Sequence, residues 1–117
     1  MEKNLEKTSV VNTSTTLVDM ENYVVDFEGA KISSAGNGCL GVVSIGRAAD
    51  LASEVVVRGL YPVYVDGATS NISISDPLTA GGSSAGEMTK ATVGTDTIRA
   101  YANEAATTHT KIEAWFV

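Results

Sequence analysis

The stretch that decides the fold is Glu54-Val55-Val56-Val57-Arg58-Gly59-Leu60-Tyr61-Pro62-Val63-Tyr64-Val65-Asp66-Gly67. Three valines in a row lose rotamer freedom in a helix and pack well on a pleated surface, so Glu54–Arg58 reads as a strand. Gly59 predicts a bend or bulge. Leu60–Val65 reads as a second strand. Pro62 has no backbone N–H to give to a ladder, which places this strand at an edge or Pro62 at its start. Asp66-Gly67 then turns the chain.

Upstream, Cys39–Ile45 is apolar at successive positions and predicts a central strand covered on both faces. Residues 47–53 form a loop or a single helical turn. Tyr23, Val25 and Phe27 alternate with Val24, Asp26 and Glu28, the pattern of a half-buried strand. Ala35-Gly36-Asn37-Gly38 predicts a turn. Downstream, Asn71–Ser75 and Glu87–Ala91 read as short strands, separated by a flexible Gly/Ser loop over 80–86. Gly94-Thr95-Asp96 turns the chain, and Ile98, Ala100 and Ala102 alternate with polar positions. A loop at Thr107-Thr108-His109 precedes a last strand, Lys111–Val117. Trp115 and Phe116 fall on opposite faces of it, so one belongs to the core and the other to the surface or an interface.

The expected fold is all-β: a small compact barrel or sandwich of about eight short strands. Composition agrees. Among 117 residues there are 14 Val but 6 Leu, and 24 are Ser or Thr. Apolar residues make up 44% and charged residues 19%, which excludes a disordered chain. Residues 1–20 are polar, Ser/Thr-rich and without Gly or aromatics. They read as an extended or flexible N-terminal arm, with residues 21–117 as a single β domain. The arm is expected to order on a partner by strand addition, and to be removable without loss of the fold.

The net charge of −6 argues against a nucleic-acid backbone or an anionic membrane as partner. No apolar run reaches the ~18 residues needed to span a bilayer as a helix, and the N-terminus carries no secretory signal pattern. Asn12-Thr13-Ser14 and Asn71-Ile72-Ser73 match a glycosylation acceptor only by chance on this reading, since no secretory signal accompanies them. A single cysteine, Cys39, rules out an intrachain disulfide. It sits in an apolar run and reads as a core residue. The single histidine, His109, has no partner at local metal-ligand spacing and reads as a solvated loop residue. Asp66, Asp76 and Asp96 are explained by turns. The glycines at 81, 82 and 86 lack the lysine of a phosphate cradle. No enzyme, cofactor or metal is expected.

The order of several short motifs carries a resemblance. Ile72-Ser73-Ile74-Ser75-Asp76-Pro77-Leu78-Thr79-Ala80 is followed by a Gly/Ser loop. Met88-Thr89-Lys90-Ala91-Thr92 comes next, then Gly94-Thr95-Asp96-Thr97-Ile98, Ala100-Tyr101-Ala102-Asn103-Glu104-Ala105 and an apolar C-terminal strand. This resembles the C-terminal half of the capsid decoration, or cement, proteins of tailed bacteriophages. Gly41-Val42-Val43, Ala48-Ala49-Asp50 and Val55-Val56-Val57-Arg58-Gly59 resemble the strand–loop–strand of the lambda-type decoration proteins. The similar stretches span residues 39–117, about two thirds of the chain. Arg99 departs from the pattern at a position where the family often has Gly.

The resemblance implies a β-rich virion protein on the outer surface of a phage head. It implies binding to the major capsid protein, assembly as a homotrimer and reinforcement of the shell. Val10, Val11, Leu17, Val18, Met20 and Trp115 are the candidate capsid or subunit contacts. The alternative is a phage tail or fibre β-module, or a carbohydrate-binding adhesin domain, for which exposed aromatic clusters would be the sign. A third reading, an enzyme using Cys39 as nucleophile and His109 as base, requires the two side chains to meet.

Overall fold

The computed structural model describes residues 2–32 and 38–117. The turn expected at 35–38 lies almost wholly outside them. The described chain forms eight strands: β1 (Lys3–Val11), β2 (Val24–Val25), β3 (Gly41–Ile45), β4 (Ala52–Asp66), β5 (Pro77–Ala80), β6 (Met88–Lys90), β7 (Ala100–Ala102) and β8 (His109–Phe116). Among the described residues there is no helix, and so none long and apolar enough to cross a membrane.

The stretch 54–67 is the spine of the fold. The two strands expected on either side of Gly59 are one 15-residue strand, β4. Its first half pairs antiparallel with β1 on one edge and β3 on the other. Its second half pairs antiparallel with β8 and touches β6 in parallel at Val65↔Met88. The path β4-β6-β5-β7-β8 returns to β4 and closes a five-strand barrel, which removes the sheet edges there. The pairings of β4 with β1 and β8 overlap at Gly59 and Leu60, where Leu60 pairs with Lys3 on one side and Trp115 on the other. The φ of Gly59 is +112°, and a Cβ there would lie 2.6 Å from the carbonyl oxygens of Lys3 and Asn4. Only glycine fits that conformation and approach.

Pro62 is neither on an edge strand nor at a strand start. It pairs with Glu113 across the β4–β8 ladder, inside the longest strand. On its other side stands Asn22, a turn residue outside any strand. The Asn22 side-chain amide donates to the Pro62 carbonyl at 2.9 Å, and Tyr64 N–H donates to the Asn22 carbonyl. A missing N–H is tolerated here because no strand stands opposite it.

The paired valines show how the interior is divided. Val24, Val42 and Val56 point into the barrel core with Ile32, Val63, Leu78, Met88, Ile112 and Phe116. Their neighbours Val25, Val43 and Val55 point to the other side of the β2-β3-β4 sheet. Both valines of each pair are fully buried. What covers the second face is the N-terminal segment. Val10 and Leu17 are buried there, and Met20 packs against the cluster.

Residues 1–20 are therefore extended, but they are part of the domain, not an appendage that waits for a partner. Strand addition does occur, to this chain's own β4, with seven register pairs from Lys3↔Leu60 to Val11↔Ala52. Loop 12–20 is fastened as well. Leu17 N–H donates to the Arg47 carbonyl at 2.8 Å, and the Asn12 side chain, itself buried, accepts from Ser14 and Thr15 N–H and donates to the Gly29 carbonyl. An Asn so engaged is structural and is no acceptor for a glycan.

Other boundaries moved for local reasons. The 23–28 strand shrinks to Val24–Val25, because Asp26 caps a turn by accepting from Glu28 and Ala30 N–H, and Phe27 is thrown out to solvent. Residues 71–75 keep only a bridge, Ile72↔Ala106, and Ser75 adopts φ +75°. Residues 47–51 form a turn and no helix, and Ala52 and Ser53 already belong to β4. Phe116 is the core member of the terminal pair, while Trp115 is partly covered.

Candidate functional site

The two ends of β4 carry the two surfaces with chemical character. The first is apolar. Val11 ends β1, Ile45 ends β3, Leu51 precedes β4 and Val18 lies in loop 12–20, all around the β3–β4 turn. Asp50 N–H donates to the Asn12 carbonyl and ties that turn to the end of β1. Phe27 shares a shallow groove with Val11, Asn12 and Ala30. All five side chains are well exposed, Phe27 at 68% and Leu51 at 55%. A polar margin borders them: Lys7 and Glu54 pair at 3.0 Å beside a groove that includes Ile45, Arg47 and Ala52.

The candidate contacts thus divide. Val11 and Val18 are exposed at this end, and Met20 and Trp115 are partly buried. Val10 and Leu17 are consumed by the chain's own second core and cannot contact a partner. Leu51, Ile45 and Phe27 belong to the surface and were not singled out from sequence. Leu51 and Ile45 flank a turn, the one local sign that they stand outside the core.

The second surface lies at the other end of β4. Asp66 ends β4 and faces His109, the first residue of β8, in the cross-strand register. Glu87 immediately precedes Met88, the residue paired with Val65. Three residues far apart in sequence thus meet at one mouth of the barrel. His109 Nδ1 lies 3.0 and 3.1 Å from the Glu87 carboxylate oxygens, and Nε2 lies 3.6 Å from Asp66 Oδ1. His109 is solvated, as expected, but it is no loop residue: it starts β8 and stands between two carboxylates. Local ligand spacing could not show this, because the residues meet only through the β4–β8 and β4–β6 registers.

Asp66 is fixed from all sides. Its Oδ1 accepts from Ala68 and Thr69 N–H, and its Oδ2 accepts from the Thr69 hydroxyl at 2.7 Å and from Ser83 N–H. Burial by itself would raise its pKa, but the hydrogen bonds from Thr69 and Ser83 outweigh burial and hold the carboxyl well below the usual range. The 80–86 loop, expected to be flexible, is tied to this site. Gly81 and Gly82 N–H donate to the Glu87 carbonyl, and a Cβ at Gly82 would lie 3.1 Å from Asp66 and Glu87 Cβ atoms.

Cys39 and His109 do not form a nucleophile–base pair. Cys39 is buried in the barrel core, where desolvation pushes the thiol up despite the neighbouring Arg99. Both ring nitrogens of His109 face carboxylates instead. Arg99 Nη2 donates to the Cys39 carbonyl at 2.7 Å, joining the segment before β7 to the segment before β3.

Tyr23 and Tyr64 stack with ring centroids 4.5 Å apart. Lys31 sits 4.1 Å from the Tyr23 centroid and Lys111 5.8 Å from that of Tyr64. This pair is engaged with lysines, unlike the open platform that sugar stacking needs.

Comparison with known proteins finds no matching family model, no matching curated protein and no matching solved structure.

Proposed function

We propose that this protein is a capsid decoration protein, a structural subunit that docks on the outer surface of a phage head and reinforces it. The observation that carries the reading is the set of five exposed apolar side chains, Val11, Val18, Phe27, Ile45 and Leu51, on segments that meet around the start of β4; the other large exposed hydrophobics among the described residues, Ile74, Val93, Tyr101 and Val117, lie on the C-terminal half of the chain. Exposed apolar side chains gathered at one place are the usual mark of a protein contact. The ordered motifs from Ile72 to the C-terminal strand support the choice of a phage head as partner. The net charge of −6 suits a surface turned away from packaged DNA.

In this reading the N-terminal strand does not reach into the capsid. It is spent on the fold, and the end surface makes the contact. Assembly as a homotrimer would let three weak contacts act together and raise the effective concentration of each. The test is decoration of heads lacking this protein, followed by electron microscopy and sedimentation. Wild-type protein is expected to bind and to raise the temperature at which the heads rupture. Phe27→Glu with Leu51→Glu is expected to leave the fold intact and weaken binding at least tenfold. Failure of the folded wild-type protein to bind, or equal binding by the double variant, would overturn the reading.

A further inference from the structure

The geometry points to a divalent first-row metal site, of the zinc class, at the barrel mouth, held by Asp66, Glu87 and His109. The inference is independent of the proposed role on capsids. One donor atom from each residue can be chosen so that all lie within 4.8 Å of one another. Zinc held at about 2.0 Å by nitrogen and oxygen ligands separates tetrahedral ligands by roughly 3.3 Å. The His109–Glu87 separation of 3.0 Å already matches. Asp66 Oδ1 lies 3.6 Å from the other ring nitrogen, Nε2, so the imidazole, the one ligand with solvent around it, has to turn to present a single nitrogen to an ion held between the two carboxylates.

Charge gives a second, separate argument. Asp66 and Glu87 are both more than nine-tenths buried, side by side at one mouth. Among the described residues, no lysine or arginine lies within ion-pair distance of either; His109 is the only cationic candidate. Both Glu87 oxygens are turned to the same imidazole nitrogen. Two buried carboxylates beside one another are costly unless a cation compensates them. A metal ion would do so more fully than a single imidazole, with any proton on the ligating nitrogen released to solvent.

The surroundings are those of a ligand set already oriented. Asp66 is held in one orientation by Ala68, Thr69 and Ser83, which give two hydrogen bonds to each carboxylate oxygen, so an ion would share Oδ1 with the Ala68 and Thr69 N–H groups. Gly81 and Gly82 hold the Glu87 backbone. The donors, one imidazole and two carboxylates, suit a borderline cation such as Zn²⁺ better than the all-oxygen shell that Ca²⁺ prefers. The three ligands come from the end of β4, the approach to β6 and the start of β8. A metal would therefore staple the strands that close the barrel, with solvent completing its coordination.

The test uses the full chain, freed of metal with a chelator and then titrated with Zn²⁺ by calorimetry, and with Co²⁺ by visible absorption. One equivalent is expected to bind, with the d–d bands of a tetrahedral or five-coordinate Co²⁺ site. At a hundredfold excess over Kd the thermal midpoint is expected to rise by about 5 °C or more. His109→Ala and Glu87→Gln are expected to lose the bands and the Zn²⁺-dependent rise. Retained bands in either folded variant, a rise with Ca²⁺ but not Zn²⁺, or no response of the folded wild-type protein would overturn the assignment. Should one variant fail to fold, the other and the wild-type titration still decide.

Discussion

Replacing Leu17 by alanine separates two pictures of the N-terminus. If residues 1–20 were a free arm, the change would remove a side chain from solvent and cost almost nothing. In the structure Leu17 is 1% exposed and closes the outer core with Val10, Val25, Val43 and Val55. Its backbone is clamped to Arg47, and Gly46 packs directly against its carbonyl, so the segment has little room to collapse into a vacated space. Truncating a buried leucine at such a site costs about 2–5 kcal/mol, the lost transfer energy plus the cavity left behind. Set against a typical domain stability of about 5–15 kcal/mol, that is a large share. Urea denaturation followed by tryptophan fluorescence measures it directly, with unchanged m-value as the check that the transition stays two-state. Val11→Ala is the control. Val11 lies on the neighbouring strand but is 46% exposed, and its loss should stay within about 0.5 kcal/mol. A Leu17→Ala cost below about 0.5 kcal/mol would refute the placement of residues 12–20 in the core.

Two further outcomes follow from the spine and from the mouth of the barrel. Gly59→Ala should destabilise the fold by about 1–3 kcal/mol or more, because alanine is strained at φ +112° and its Cβ meets the Lys3 and Asn4 carbonyls; a loss under about 0.5 kcal/mol in thermal unfolding would show that β1 can shift away freely. The folded-state pKa of Asp66 is depressed, so its contribution is present above the ordinary carboxylate pKa of about 3.9 and is lost as pH falls below it. Asp66→Asn is therefore expected to be less stable than wild type at pH 7 and to lose less between pH 5 and pH 2, as read by denaturant midpoints across that range; parallel pH curves for the two proteins would contradict it.

Much of the architecture was legible because it rests on local chemistry. β-branched runs, punctuated by Gly and Asp-Gly, indicate short strands whatever they pair with. The continuous apolar run at 39–45 indicated a central strand; β3 covers Gly41–Ile45 of it, buried on both faces at Val42 and Val43 and exposed at Ile45. What could not be read was the cover for the second face. Val10 and Leu17 are ordinary residues in a polar context, and only the β1–β4 register shows that they seal a core. Pro62 misled because the rule concerns a paired edge, and Asn22 supplies a partner that needs no proline N–H. Phe27 misled because alternation was extended past Asp26, whose side chain turns the chain. At the mouth, Asp66 was legible as a turn residue and is one, but its meeting with Glu87 and His109 depends on two strand registers that no local pattern encodes.

β4 explains why one small chain can keep two unlike surfaces. Its first half is an interior strand of a sheet buried on both sides, and its second half is a stave of a closed barrel. Gly59 joins the halves at φ +112°, where the last pairing with β1 and the first with β8 overlap and the strand does not break. The apolar surface grows from the start of β4 and the turn before it, and the carboxylate–histidine mouth from its last residue. Because the strand is continuous and its pairs are buried, the two ends are held in a fixed relation by core packing and not by a hinge. A metal at the mouth would act on the barrel closure without touching the apolar end. The surface proposed for docking and the site proposed for zinc can therefore be altered one at a time, and a Leu51→Glu change should leave Co²⁺ binding as it is in the wild-type protein.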